Sequence, residues 1–241
     1  SDPTLAELTG AIAERFGLSR NQVFCGNGSD DVLAFSIMAF CGRGGELACP
    51  DISYSFYPVF AGLFGVRLTQ IPLSADFSVR ADDYVGLGKN IVIANPNAPT
   101  GLGVPTEAIR AAAARSRRAL IVDEAYIDFA DTTASAVPLT AEFANLAVVK
   151  TFSKSYGLAG IRCGYMIAGP EIIRAMRAVK DSFNSYPIDR VCEAAACAAI
   201  ADRQYLADMT ARVKATRARV IAGLRRRGTF VTDSQTNFLF M

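Results

Sequence analysis

Apolar positions recur along this chain in two rhythms. Leu5, Leu8, Ile12 and Phe16 follow Asp2-Pro3 at helical spacing, which predicts an amphipathic helix, N-capped at its start and stopped at Gly17. Val32 to Phe40 is almost unbroken apolar sequence ending before Gly42, and Tyr54 to Phe64 is rich in aromatics; both predict helices. Pro105 opens an alanine-rich helix through 107–117, and further helices are expected near 170–180, 188–201 and 203–227. Between the helices lie short apolar runs that read as strands: Leu47–Cys49, Val66–Ile71, Ile91–Ala94, Ala119–Val122, Leu146–Val149 and Tyr165–Ala168, with a last strand expected near Phe238. Gly26 to Asp31 reads as a turn. Short buried strands alternating with helices predict an α/β protein, a three-layer α/β/α arrangement around a mainly parallel sheet.

Composition narrows the chemistry more than the fold. The 241 residues are 51% hydrophobic and 20% charged, which suits a globular chain with a sizeable core. A net charge of +2 without a long basic run argues against a nucleic-acid partner, and no run of about 18 apolar residues argues for a membrane one. Arg115 to Arg118 and Arg225 to Arg227 fall near expected helix C-termini, where cations complement the dipole. There is no histidine, so Ser-His-Asp and Cys-His triads and His-containing zinc sites are excluded. Acid–base work falls to Lys, Tyr, Asp, Glu or Cys. The six cysteines form no Cys-x-x-Cys pair and most sit in apolar context, so reduced thiols, a cytoplasmic location and no metal site are expected.

The candidate chemistry gathers at the expected strand ends, where open α/β sheets bind ligands. Lys154 lies in Thr151-Phe-Ser-Lys-Ser-Tyr-Gly-Leu-Ala-Gly-Ile-Arg162, between two apolar runs. A lone loop lysine is ordinarily a solvated charge. Held in a low-dielectric cleft, however, its amine becomes a nucleophile toward a carbonyl. Thr151, Ser153 and Arg162 beside it offer two hydroxyls and a guanidinium to an anion such as phosphate. An imine-forming lysine next to a phosphate clamp points to pyridoxal phosphate. Gly28-Ser-Asp30 opens a helix, and free N–H groups there suit a phosphate. Asp123 follows four apolar residues and, partly buried, wants a cationic partner such as a protonated pyridine nitrogen. Tyr126 could hydrogen-bond a phenolic oxygen of the same ring, and Tyr54 could stack on it.

In this order, the motifs Gly28-Ser-Asp-Asp31, Pro50 to Tyr54, Asn95-Pro-Asn-Ala-Pro-Thr-Gly101, Asp123-Glu-Ala-Tyr-Ile-Asp-Phe129 and Thr151 to Tyr165 resemble those of fold-type-I pyridoxal-phosphate aminotransferases of class II, and within them the histidinol-phosphate aminotransferases. The resemblance runs through nearly the whole chain. It implies that Lys154 forms the imine with the cofactor, Asp123 pairs with the ring nitrogen, Tyr126 bonds the ring hydroxyl and Tyr54 stacks on the ring. Ser29 and Asp30 (through backbone amides), Thr151, Ser153 and Arg162 would hold the phosphate. The family commonly has asparagine directly before Pro-Thr-Gly; here Ala98 stands there and Asn97 is the nearest substitute for contact with the ring oxygen. The resemblance further implies amino transfer between L-histidinol phosphate and 2-oxoglutarate in histidine biosynthesis, by a homodimer. An aromatic aminotransferase, a decarboxylase of threonine phosphate and a catalytically inactive binding domain are the alternatives. Residues 20–215 would form the cofactor-binding large domain. Residues 1–19 and 216–241 would be parts of a small domain that lacks the family's N-terminal arm and its carboxylate-binding arginines.

Overall fold

The computed structural model describes residues 2–241. Seven strands form one sheet: β1 (Val23–Asn27), β2 (Glu46–Pro50), β3 (Arg67–Ile71), β4 (Asn90–Ala94), β5 (Leu120–Asp123), β6 (Leu146–Thr151) and β7 (Cys163–Ala168). Their order is β1-β7-β6-β5-β4-β2-β3, and β7 alone runs against the rest. The mainly parallel α/β sheet expected from the chain is therefore present. Strand residues alternate between two apolar cores. Ile91, Ile93, Leu120, Val122, Leu146 and Val148 face one, and Val92, Ile121, Ala147 and Val149 face the other. A strand buried on both faces loses the polar–apolar alternation of a surface strand, which is why these segments read as continuous apolar runs.

Helices cover both faces. The first core takes in α1 (Ala6–Phe16), α4 (Thr106–Arg115) and α6 (Arg190–Ala201); the second takes in α2 (Gly28–Cys41), α3 (Phe56–Phe64) and α5 (Pro170–Phe183). The long α7 (Arg203–Arg226) lies outside these layers and is tied down by charge. Its buried Arg217 donates to the carbonyls of Phe129 and Thr236 and pairs with Asp131, while Lys214 donates to the Ala130 carbonyl. The expected boundary between residues 215 and 216 falls inside this helix.

Several local expectations changed. The Asp2 carboxylate accepts the Thr4 and Ala6 N–H groups, so it caps the chain ahead of the first helix, which starts at Ala6. The turn expected at Gly26–Asp31 is instead the junction of β1 with α2, which begins at Gly28. The strand expected near Phe238 is not formed. Residues after Gly228 carry no regular element; Thr232 donates to the Phe240 carbonyl, but Ser234 and Thr236 hydroxyls take up much of the local pairing. A hydrophobic run becomes a strand only when a neighbouring strand pairs it, and none of the seven does.

Candidate active site

The C-terminal ends of the parallel strands converge on one cavity of about 120 Å³. Ser29 and Asp30 reach it from the turn after β1, Tyr54 from after β2, Ala94 and Ala98 from the end of β4, Asp123 and Tyr126 from the end of β5, and Ser153 and Lys154 from after β6. Arg162 enters just before β7, whose reversed direction puts its first residue at this same end of the sheet. Eight of the ten residues singled out from the chain thus line one wall-to-wall space, although they span positions 29 to 162.

One end of the cavity is built to take an anion. Helix α2 starts there, with the unpaired N–H groups of its first turn and the positive end of its dipole. Its approach depends on two glycines. A Cβ on Gly164 would run into the backbone of Gly28 and Ser29, and a Cβ on Gly28 (φ 82°) would lie 2.5 Å from Arg162 Nη2. Arg162 itself holds a left-handed φ of 52°, an uncommon state for a non-glycine residue. Its guanidinium pairs with Asp30 at 3.2 Å, and the other Asp30 oxygen accepts the Tyr54 hydroxyl at 2.8 Å. The Tyr54 ring stacks on Phe56 with centroids 5.6 Å apart. Burial, helped by the Asp30 carboxylate, pushes the Tyr54 phenol well above its ordinary range, so it remains a neutral donor.

The other end is acidic and buried. Asp123 is buried and accepts the Tyr57 hydroxyl at 2.9 Å and the Ala125 N–H at 3.2 Å. Among the described residues it has no ion-pair partner. Burial raises its carboxyl to about 6, against the lowering effect of those two donors. Tyr57 was legible in the chain only as core packing; its partnership with Asp123 joins residues 66 positions apart and leaves no local signal. Tyr57→Phe is expected to cost roughly 1–2 kcal/mol, because a buried carboxylate loses a donor. It also moves the Asp123 titration upward. The fall in melting temperature as Asp123 ionises still begins near its unfolded value but continues to a higher pH than in the parent before levelling off, and melts across pH 3–8 read this directly.

Lys154 lies between these ends on the turn after β6, its Nζ 5.3 Å from the centroid of the Tyr126 ring. Tyr126 packs edge-on against Phe238, with centroids 5.0 Å apart. The expectation of a low-dielectric cleft around the lysine is corrected here: Lys154 is exposed on a turn at the end of the sheet, with the Tyr126 ring face beside it. Two expected residues lie outside the lining. Asn97 spends its amide on the Ile52 carbonyl and Thr100 Oγ1 and accepts from Ser53, so it braces its own loop while Ala98 meets the cavity. Thr151 donates to the Cys163 carbonyl and accepts the Ser153 N–H, shaping the turn that presents Ser153.

The whole chain, residues 1–241, matches the model of the family described as aminotransferase class I and II. The chain belongs to this family. Among curated relatives, it is 45% identical over 241 residues to the histidinol-phosphate aminotransferase of Gluconacetobacter diazotrophicus, covering 100% of the chain and 67% of that protein. It is 47% identical to histidinol-phosphate aminotransferase 2 of Gluconobacter oxydans, with the same coverage. Its fold superposes with a TM-score of 0.91 on histidinol-phosphate aminotransferase from Sinorhizobium meliloti in complex with pyridoxal-5'-phosphate, at 28% identity, covering 99% of this chain and 66% of that one. The aminotransferase chain described here spans about two thirds of the length of these relatives. Among its described residues no helix is long and apolar enough to cross a membrane.

Proposed function

We propose that this chain is the cofactor-binding part of a pyridoxal-phosphate-dependent aminotransferase acting on L-histidinol phosphate with 2-oxoglutarate, in histidine biosynthesis. One observation carries the cofactor: a buried carboxylate without an ion-pair partner, a free lysine amine and an arginine at a helix N-terminus share a single cavity. Those three functions fit the ring nitrogen, aldehyde and phosphate of pyridoxal phosphate. When bound, that cofactor supplies a carbonyl for amines and an electron-withdrawing ring beside the carbon that loses its proton.

The chain's own residues do the rest. Arg162, the Ser153 hydroxyl and the amides of Ser29 and Asp30 hold the phosphate dianion. Asp123 accepts the ring N–H, and the ion pair keeps that nitrogen protonated. Tyr126 donates to the ring oxygen, and Tyr54 covers the ring. Lys154 Nζ accepts a proton from the substrate carbon and returns it one position away. In this scheme Thr151 and Asn97 position Ser153 and the Ala98 loop. Residues 20–215 form the cofactor-binding domain, joined by α1, whose Leu8 and Ile12 share its first core, with 216–241 as a piece of a second domain. The protein works as a homodimer in the cytoplasm. The exposed apolar face of α3, carrying Phe56, Val59 and Leu63, supports the pairing of two copies.

Substrate identity rests on the relatives' shared name. Turnover of L-histidinol phosphate, phenylalanine and threonine phosphate by the intact gene product separates the readings. Histidinol phosphate is expected to lead in kcat/KM by about 10⁴-fold, the scale at which a site that hydrogen-bonds its substrate discriminates. Equal or faster use of phenylalanine sinks this assignment, and absence of lysine-dependent cofactor binding favours an inactive binding domain.

A further inference from the structure

A charge cluster that the scheme above does not use lies beneath the cavity. Lys150 on β6 has a side chain only 5% exposed, and its ammonium sits between Glu124 (3.4 Å) and Asp128 (3.5 Å). Glu124 is fully buried and also accepts the Ser135 hydroxyl at 2.6 Å and the Ala136 N–H at 2.5 Å. Asp128 accepts the Ser155 hydroxyl at 2.5 Å. The core does not need this cluster. Leu146 and Val148, on the same face of β6, are apolar, and a hydrophobic side chain at 150 would serve packing as well. Buried ion pairs are seldom more stable than the apolar residues that could replace them.

What the cluster does is join site segments. Glu124 directly follows Asp123, Glu124 and Asp128 bracket Tyr126, and Ser155 directly follows Lys154. A single ammonium therefore ties the wall bearing Asp123 and Tyr126 to the turn bearing Lys154, with Asp128 and the Ser155 hydroxyl as the last links. The β5–β6 ladder joins the two segments up to the Glu124 N–H on the Val149 carbonyl; beyond the ladder, the Tyr126 ring lies 5.3 Å from Nζ. An exposed lysine on a turn has no other restraint on where its amine points.

We infer that Lys150 is a positioning residue: through Glu124 and through Asp128–Ser155 it sets the spacing between the Asp123–Tyr126 wall and the Lys154 amine. This extends the proposed role of Lys154 and rests on it. Loss of the ammonium leaves the anchor at Arg162, which shares no ion pair with the cluster, but slows the meeting of amine and aldehyde.

The test uses pyridoxal 5'-phosphate as probe and separates binding from bond formation. The dissociation constant is read by equilibrium dialysis. Bond formation is read by borohydride trapping and peptide mass: Lys154 Nζ adds to the aldehyde carbon, the aldehyde oxygen leaves as water, and hydride from borohydride reduces the resulting C=N. Lys150→Met alone strands two carboxylates, so the main variant is the charge-balanced Lys150→Met/Glu124→Gln, compared with Lys150→Arg. The balanced variant is expected to melt cooperatively, to bind within about threefold of the parent and to trap on Lys154 about ten to a hundredfold more slowly, the scale of loss from a small misplacement. Lys150→Arg is expected to restore trapping to within about threefold, because it keeps the charge. Parent-like trapping in the balanced variant overturns the inference, as does a parallel loss of binding, trapping and melting temperature. Should the balanced variant not fold, Asp128→Ala decides, since at a partly exposed site it cuts the Lys150–Asp128–Ser155 link and leaves the Lys150–Glu124 pair: slowed trapping with unchanged binding supports the inference, and parent-like trapping overturns it. A parent protein that traps nothing on Lys154 removes the proposed function itself, a result distinct from a parent that traps and variants that match it.

Discussion

Lys154→Ala is expected to abolish turnover while leaving the fold untouched. The side chain is exposed and its one contact of note is the Tyr126 ring, so stability should change by less than about 0.5 kcal/mol, as for ordinary surface substitutions. Catalysis is another matter. The same amine serves first as the nucleophile toward the cofactor carbonyl and then as the carrier of the substrate proton, and no other described residue of the cavity can replace it. Asp123 is buried and held by Tyr57; the Tyr54 phenol is kept neutral; Arg162 does not give up its proton at any accessible pH. A fall in kcat of about 10⁴-fold is expected, the upper range for loss of a positioned acid–base group. Small external amines should restore part of the proton-transfer rate, since the space left by the side chain opens to solvent. Thermal melts and steady-state rates measured on the same preparation check both halves. A variant that still forms a borohydride-reducible adduct, or that retains more than a small fraction of turnover, would refute the assignment to Lys154.

The motif around Lys154 was readable in the chain, whereas its setting was not, and the division has a physical basis. Asp123 directly follows one continuous apolar run and Lys154 lies just beyond another, and such runs mark strands buried on both faces, so these polar residues were expected at the C-terminal ends of the strands. Convergence of the strand ends then follows from topology. β1 escaped notice because Gly26 and Asn27 interrupt it and because it pairs on one side only, with β7. The β6 run was taken to end at Val149, since a lysine inside a strand reads as its boundary; Lys150 stays in the strand because Glu124 and Asp128, distant in sequence, neutralise it. The Tyr57–Asp123 bond has the same character. Apolar rhythm reports which face a residue takes, but polar partnerships across a sheet are set by register, and register leaves no trace in either segment alone.

Asp123→Asn should have effects of opposite sign on stability and on function. Burial lifts the Asp123 carboxyl from 3.8 to about 6, so the folded chain holds this proton more tightly than the unfolded chain does. Such a group stabilises the fold below the unfolded value and loses that contribution as pH rises through about 6. Above that pH, without cofactor, the fold carries an ionised buried carboxylate at a cost on the order of 2–3 kcal/mol. Asparagine keeps the shape, accepts the Ala125 N–H through its one oxygen, turns its amide N–H toward the Tyr57 hydroxyl oxygen, and has no charge to bury. The cofactor-free variant is therefore expected to melt higher than the parent at pH 7.5, with the difference closing as pH falls below about 4. Turnover should move the other way. A neutral amide cannot hold the ring nitrogen protonated, and loss of one preorganised charge aimed at a reacting system costs about 10²–10³-fold in kcat. The two measurements belong together, because the charge that burdens the empty fold is the one the ring nitrogen would neutralise: pyridoxal phosphate should raise the melting temperature of the parent more than that of the variant. If the variant melts lower than the parent without cofactor at pH 7.5, then Asp123 already has its counter-charge within the chain and was never waiting for a ring.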